Sequence, residues 1–183
     1  MTRSSDDIRC EAKLLRPKHP GRGGSWSFLV LPKAASAKLP TRGQTFVEGT
    51  LNGQPFRAML EPDGCKSHWL KVDRALRERA QAEPNEIVAL TLSTDVEPPE
   101  PTLPTDLRQA LAKHPEAAST WSDITCAARW DWLHWITSAK REETRARRIA
   151  NACDMLASGK RRVCCFDRSG FYSKEFSAPE AAE

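Results

Sequence analysis

The densest group of residues that could bind a charged ligand lies toward the C-terminal end of the chain. Eight cations and three carboxylates fall between residues 140 and 162, so this stretch alone carries a net charge of +5. The cations are Lys140, Arg141, Arg145, Arg147, Arg148, Lys160, Arg161 and Arg162. Such a patch could contact phosphate groups or an acidic partner, and the plainer alternative, which we favour, is a solvated helix face.

Two arginines fall within the apolar stripes of predicted helices. These are Arg129 and Arg145, and a guanidinium group that faces inward keeps its charge, so it needs oxygen acceptors. We predict that each pairs with a carboxylate or with carbonyls at a helix end and is less exposed than Arg147. The functional alternative is that Arg145, together with Lys140 and Arg148, lines an anion-binding pocket.

The four histidines and six cysteines form no recognisable metal-binding or catalytic motif. No histidine stands at a metal-ligand spacing from Cys, Asp or Glu, and no Cys-x-x-Cys pair occurs, so we predict reduced thiols, no metal and no cofactor. Cys164 and Cys165, with Cys153, form a weak thiol cluster. We can name no catalytic residue and predict that the chain is not an enzyme. His68 stays a candidate ligand-binding residue.

Length and composition indicate a globular protein of one or two domains. The chain has 183 residues, a net charge of +4 and 28% charged residues. The first residues include no apolar stretch typical of a signal peptide, and no run approaches the roughly 20 apolar residues of a membrane span. We therefore expect a cytoplasmic protein without membrane insertion.

The first half of the chain is typical of short strands. Residues 8–14 alternate between apolar and charged side chains, Trp26, Phe28 and Val30 alternate again, and residues 67–72 and 87–92 give further strands. Asn52-Gly53 between two apolar stretches predicts a hairpin with a type I′ turn, although Pro55 suggests a longer loop or an edge position. About five strands before residue 96 indicate a barrel or sandwich.

A proline-rich stretch separates this half from a helical one. Residues 96–101 read Val-Glu-Pro-Pro-Glu-Pro, after which the apolar period becomes 3.6 residues. In the helix predicted over 125–140, Asp131, His134 and Ser138 form the narrow polar face. We predict a β-barrel domain over 6–96, a linker over 97–104, a helical module over 105–162 and a partly disordered tail over 163–183.

The chain resembles the YdeI/OmpD-associated, or bacteriocin-protection, family. The similarity to its N-terminal domain of unknown function rests on residues 52–57, 63–64 and 67–72, and the similarity to its helical module on residues 132–136, 139–140, 143–145, 148–149, 155–156 and 159–160. The resemblance implies an α+β protein, with a small double-split β-barrel followed by an all-α module. The resemblance also implies a role in bacteriocin resistance, which is a phenotype, and it identifies no catalytic residues.

Three functions remain open from the sequence. The first is a non-enzymatic bacterial stress or bacteriocin-resistance protein that acts by binding an unknown protein or anionic partner. The second is a nucleic-acid-binding regulator that uses the basic helices, a fold analogy that we do not favour. The third is an undescribed enzyme with a site between barrel and helices, in which His68 and Arg145 would converge on a pocket.

Overall fold

The computed structural model describes residues 7–183, which form six strands and six helices. The described residues form two compact units, one with residues 7–96 together with Ser169–Glu183, the other with Glu97–Arg168. The domain boundaries predicted from the sequence stay predictions. The elements are β1 Ile8–Lys13, β2 Ser27–Val30, α1 Lys33–Ser36, β3 Thr45–Leu51, β4 Gln54–Pro62, β5 His68–Val72, α2 Arg74–Arg79, β6 Ile87–Ser93, α3 Thr105–Lys113, α4 Pro115–Asp123, α5 Cys126–Thr137 and α6 Glu142–Ala157.

The six strands form a nearly closed antiparallel barrel. Their order is β1-β6-β3-β4-β5-β2, and all pairings are antiparallel. The two ends of this order meet where Leu15, just after β1, exchanges two backbone hydrogen bonds with Phe28 of β2. Closure of this kind leaves few unpaired strand edges. The α+β class, with a barrel followed by helices, is therefore confirmed.

The hairpin predicted at Asn52-Gly53 joins β3 to β4. Both turn residues have positive φ angles, 47° and 80°, as a type I′ turn requires, and Leu51 pairs directly with Gln54. The longer loop suggested by Pro55 is wrong, because two residues suffice. The alternative, an edge position, is confirmed, because Pro55 pairs with β3 alone. The N–H group that proline lacks is therefore not needed for hydrogen bonds to a second strand.

Alternate residues of each strand fill the barrel. The fully buried ones include Leu14, Leu29, Val47, Leu51, Leu60, Leu70, Val72, Val88 and Leu92. Strand β2 is apolar on both faces, because Leu29 belongs to this core while Phe28 packs edge-on against Trp69, with ring centroids 6.3 Å apart. At the β3–β6 pairing, Gly49 approaches so closely that a Cβ there would clash with the carbonyl oxygen of Thr91.

The helices of the second unit enclose a separate core. Helix α6 packs against α3, α4 and α5, and the fully buried side chains include Leu107, Trp132, Ile136 and Leu156. The proline-rich stretch lies against α5, where the Trp130 indole N–H donates to the Pro99 carbonyl over 2.8 Å. The Cys126 thiol lies within hydrogen-bonding distance of the same carbonyl, so the start of this unit is fixed on α5, its most apolar helix.

Candidate functional site

The two inward-facing arginines have the oxygen partners predicted for them. Arg145 binds Asp106 with two N–H donors, at 2.7 and 3.1 Å, and its side chain is 27% exposed. This bidentate contact lowers the pKa of the Asp106 carboxyl group and raises the pKa of Arg145. Arg129, 17% exposed, binds both oxygens of Glu100 at 2.6 Å. The prediction that both are less exposed than Arg147 is confirmed, since Arg147 is exposed.

Arg129 also completes the C-terminal end of α4. Its Nε and Nη2 groups donate to the carbonyls of Trp121 and Ser122, each over 3.0 Å. The Arg161 guanidinium group donates to the carbonyl and to the carboxylate of Asp123 at the same helix end. Because the last carbonyls of a helix have no partner within it, these arginines satisfy groups that would otherwise be left open.

Of the remaining predicted binding residues in this unit, Arg148 has internal partners and Lys140 is exposed. The Nη1 group of Arg148 donates to the Trp135 carbonyl over 2.6 Å and to the Ser138 hydroxyl over 2.8 Å, and its guanidinium group lies 5.5 Å from the centre of the Trp135 ring. An anion at Lys140, Arg145 and Arg148 would therefore compete with Asp106 and with a backbone carbonyl.

The structure divides the basic stretch into engaged and free cations. Within the described part of the chain, four of its members are exposed and take part in no ion pair or side-chain hydrogen bond: Lys140, Arg141, Arg147 and Lys160. The first three lie toward the start of α6, whereas Lys160 follows its end, and the helix between these two places is about 24 Å long at 1.5 Å per residue. The free charge is therefore split between two places.

His68 is completely buried inside the barrel. Its Nε2 lies 2.8 Å from the Gly43 carbonyl, so Nε2 carries the proton, and the Ser36 hydroxyl then donates to Nδ1 over 2.7 Å. Burial lowers the pKa of this imidazole. His68 lines neither of the two cavities described below. His68 links Ser36 of α1 and Gly43, in the loop that follows, to β5. This geometry gives no support to the hypothesis of an enzyme site that includes His68.

A cavity of about 380 Å³ opens on the barrel unit and contains two arginines and a tryptophan. We call it the arginine–tryptophan pocket, and it is lined by Arg16, Pro17, Pro20, Gly24, Ser25, Trp26, Ser27, Arg77 and Ala182. Its volume falls within the range of small-molecule sites. The residues come from the loop between β1 and β2, from the start of β2, from α2 and from the C-terminal segment, so sequence patterns do not reveal that they meet.

Local interactions fix the positions of the pocket's aromatic and basic side chains. The Trp26 indole N–H donates to the Pro20 carbonyl over 2.9 Å, and its ring lies 6.4 Å from that of Phe28. Arg77 is held by α2, whose N-terminal end is capped where the Asp73 carboxylate accepts from a backbone N–H. The pocket's Trp26 ring and Arg77 side chain are thus placed before any ligand binds.

The two guanidinium groups of the pocket differ in their surroundings. Arg77 is 16% exposed, and one of its donors binds Glu83 at 3.2 Å, but that carboxylate is 68% exposed and so screened by water. Arg16 is exposed, and its guanidinium group has no partner among the residues that the structure describes. The pocket therefore has positive charge that is not fully neutralised, beside a flat aromatic ring.

The C-terminal segment forms one wall of this pocket. The Ala182 N–H donates to the Arg16 carbonyl over 2.8 Å, and Lys18 binds Glu180 through its backbone N–H and its ammonium group, at 2.7 and 2.6 Å. Pro17 and Ala181 form an isolated β-bridge. The segment thereby holds the loop that carries Arg16.

A second cavity on the barrel, about 690 Å³, is wider and lies over β3, β4 and β6. Its charged side chains include Glu48 and Arg57, which pair across the two strands at 3.0 Å. Because this pair neutralises its own charge, the surface offers less to an anion than the arginine–tryptophan pocket. No group of three or more metal-binding side chains occurs between residues 7 and 183.

Comparison with known protein families finds a match for each of the two halves of the chain. Residues 11–92 match the model of a domain of unknown function (DUF1905), and residues 100–159 match the family described as "Bacteriocin-protection, YdeI or OmpD-Associated". The two ranges cover most of the chain and give the domain layout expected from the sequence. The helical part of the chain is therefore similar to the YdeI/OmpD-associated family, and the barrel part is similar to the domain of unknown function.

No curated protein matches the chain at a significant level. The family's name associates it with bacteriocin protection, and this association is as far as the comparisons go on function. In the described residues, no helix combines the length and the apolar character needed to cross a bilayer.

Proposed function

We propose that this protein is non-enzymatic and acts by binding a small anionic ligand in the arginine–tryptophan pocket, as a bacterial stress or bacteriocin-resistance protein. The observation that carries the proposal is the unpartnered guanidinium group of Arg16 beside the preorganised Trp26 ring and the mostly buried Arg77. Guanidinium groups bind carboxylates and phosphates with paired N–H donors, and an indole ring stacks against flat groups.

The composition of the pocket favours binding over catalysis. Its lining contains guanidinium, indole, hydroxyl, proline and backbone groups, but no His, Asp, Glu, Cys or Lys. General acid–base catalysis needs a group whose pKa lies near the working pH, and none of these lining groups has an ordinary pKa in that range. The two serines, Ser25 and Ser27, have no base among the lining residues that could activate them.

The nucleic-acid hypothesis rests on a different surface. Lys140, Arg141 and Arg147 are free near the start of α6, and a phosphate backbone could contact them. However, Arg145 and Arg148 have protein partners, and the fourth free cation, Lys160, lies beyond the far end of the helix. We therefore keep nucleic-acid binding as the second candidate, to be separated from the first by its salt dependence.

A thermal-shift experiment on the full chain separates these candidates. The probes are AMP, benzoate, inorganic phosphate alone, and single- and double-stranded oligonucleotides, each at low and high salt. A ligand at 100 times its Kd should add about 2.7 kcal/mol of stability, which is easily seen. We expect stabilisation by the flat anions AMP and benzoate above that by inorganic phosphate. A steep, salt-sensitive shift with oligonucleotides alone would instead support the nucleic-acid hypothesis.

Substitutions within one loop provide the matched control. Arg16→Ala removes the unpartnered guanidinium group, and Arg22→Ala removes an exposed arginine that does not line the pocket. Loss of a charge-assisted hydrogen bond costs about 1.5–3 kcal/mol, so we expect AMP affinity to fall by about 10- to 100-fold for Arg16→Ala. Equal affinities of the two variants would contradict the assignment of the pocket.

The cellular part of the proposal needs its own test. A bacterial strain that lacks this chain is challenged with a panel of bacteriocins, and survival is compared after complementation with the unsubstituted chain, Arg16→Ala or Arg22→Ala. We expect the unsubstituted chain and Arg22→Ala to restore survival and Arg16→Ala to fail. If all three versions of the chain restored survival, resistance would not depend on this pocket.

A further inference from the structure

Cys164 and Cys165 are two free thiols held side by side on the surface. Their sulfur atoms are 3.2 Å apart, and both residues are exposed. Cys65 is also exposed but has no second thiol as its neighbour in the sequence. The adjacent pair is therefore chemically different from the other thiols of the chain, because one electrophilic centre can reach both sulfur atoms at once.

The turn that holds the pair is fixed from both sides. Cys165 has a φ angle of 59°, in the left-handed region that non-glycine residues seldom adopt. Before the pair, Val163 is buried in the helical core, and after it, Phe166 packs edge-on against His134 with ring centroids 5.5 Å apart. Further along, Arg168 binds Asp131 at 3.1 Å.

Both sulfur atoms of the pair are accessible to soft electrophiles. The hydrogen bond between the two sulfurs raises the pKa of the Cys165 thiol, whereas the nearby Lys160 acts in the opposite direction. Either sulfur can donate in this hydrogen bond. No conformational change is needed to expose the two thiols, because both are already exposed.

We infer that Cys164 and Cys165 form a dithiol site that chelates monosubstituted trivalent arsenicals. Soft thiolates select soft centres, and the distance between the sulfurs selects among these. A three-coordinate pyramidal arsenic has bond angles near a right angle, which sulfurs 3.2 Å apart can span. A linear two-coordinate Cu(I) ion holds its two sulfur ligands much further apart, so it fits this pair poorly.

The reaction is a condensation without any change of oxidation state. For an arsenical R–As=O, both S–H bonds break, two As–S bonds form, and the oxygen leaves with the two protons as one molecule of water. Arsenic stays trivalent and neither sulfur is oxidised. A single thiol such as Cys65 can form one As–S bond only, and excess monothiol then displaces it.

The test uses the reduced full chain and phenylarsine oxide as the probe. After labelling with one equivalent, excess glutathione is added and the intact mass is measured. We expect one phenylarsenic adduct that survives glutathione and is removed by dithiothreitol, a dithiol. Trypsin cleaves after Arg162 and Arg168, so the adduct should be found on peptide 163–168, which contains both cysteines.

Single substitutions decide whether the pair is the site. Cys164→Ser and Cys165→Ser each leave one thiol, so each should lose the glutathione-resistant adduct, whereas Cys65→Ser should keep it. These positions are exposed, so the substitutions should not disturb folding. An adduct that persists in Cys164→Ser, or one that glutathione strips from the unsubstituted chain, would overturn the inference.

Discussion

The buried imidazole of His134 should make the stability of the helical unit depend on pH. His134 lies on α5, where burial lowers its pKa from 6.5 to about 4. The folded state therefore favours the neutral ring, and between these two values the unfolded chain binds more protons than the folded one. The stability contributed by this group is complete above pH 6.5 and is lost as the pH falls toward 4.

The two pKa values set the size of the effect. One pKa unit corresponds to about 1.4 kcal/mol, so the full contribution is about 3 kcal/mol. Proton linkage with these values gives a loss of about 2 kcal/mol in the free energy of unfolding between pH 7.5 and pH 5. His68 changes stability in the same direction, because burial lowers its pKa as well, so the contribution of His134 has to be isolated by substitution.

Urea unfolding at these two pH values measures the loss. Tryptophan fluorescence reports mainly on the helical unit, because this unit contains Trp121, Trp130, Trp132 and Trp135. The His134→Gln variant has no imidazole at this position to ionise. Between pH 7.5 and pH 5 its free energy of unfolding should therefore fall by about 2 kcal/mol less than that of the unsubstituted chain. His19→Gln, at an exposed loop position, should behave like the unsubstituted chain.

An NMR titration of the unsubstituted chain tests the same reasoning without a substitution. The imidazole signals of His134 should titrate near pH 4. A midpoint near 6.5, or an unchanged pH dependence in His134→Gln, would refute the argument from burial.

Three further substitutions test the structural contacts. Arg129→Ala should lower the free energy of unfolding by about 2–3 kcal/mol in urea titrations, because it leaves helix-end carbonyls without donors, whereas the exposed Arg147→Ala should change it by less than about 0.5 kcal/mol. Gly49→Ala places a Cβ against a backbone carbonyl of the neighbouring strand, so hydrogen exchange across β3 and β6 should accelerate. Ser36→Ala removes the donor to the buried Nδ1 of His68 and should cost about 1–3 kcal/mol, and an unchanged thermal midpoint would contradict that hydrogen bond.

Elements with strong local signals could be predicted from the sequence. The alternation over 8–14 gives β1 with Ile8 and Ala12 buried, and the Asn52-Gly53 turn gives the hairpin. The inward position of Arg129 and Arg145 follows from the helical period, and it implied oxygen partners because a guanidinium group cannot lose its charge. These predictions depend on neighbours that are close in sequence.

Features that depend on distant residues could not be predicted in this way. His134 was placed on the polar face of its helix but is buried, because the segment after α6 brings Phe166 against it. The arginine–tryptophan pocket was missed because Arg16, Arg77 and Ala182 meet only through tertiary structure. No periodic pattern in the sequence marks the loop before Trp26 as a pocket wall.

The most direct test of the proposed function is an amide-detected NMR titration of the full chain with AMP. The indole N–H of Trp26 gives a signal distinct from backbone amides, and this group lies in the pocket wall. The proposal predicts saturable shifts of this signal and of the backbone amides at Arg16 and Gly24, with none near Arg147. Shifts confined to the start of α6, or no shift of the Trp26 indole at saturating AMP, would contradict it.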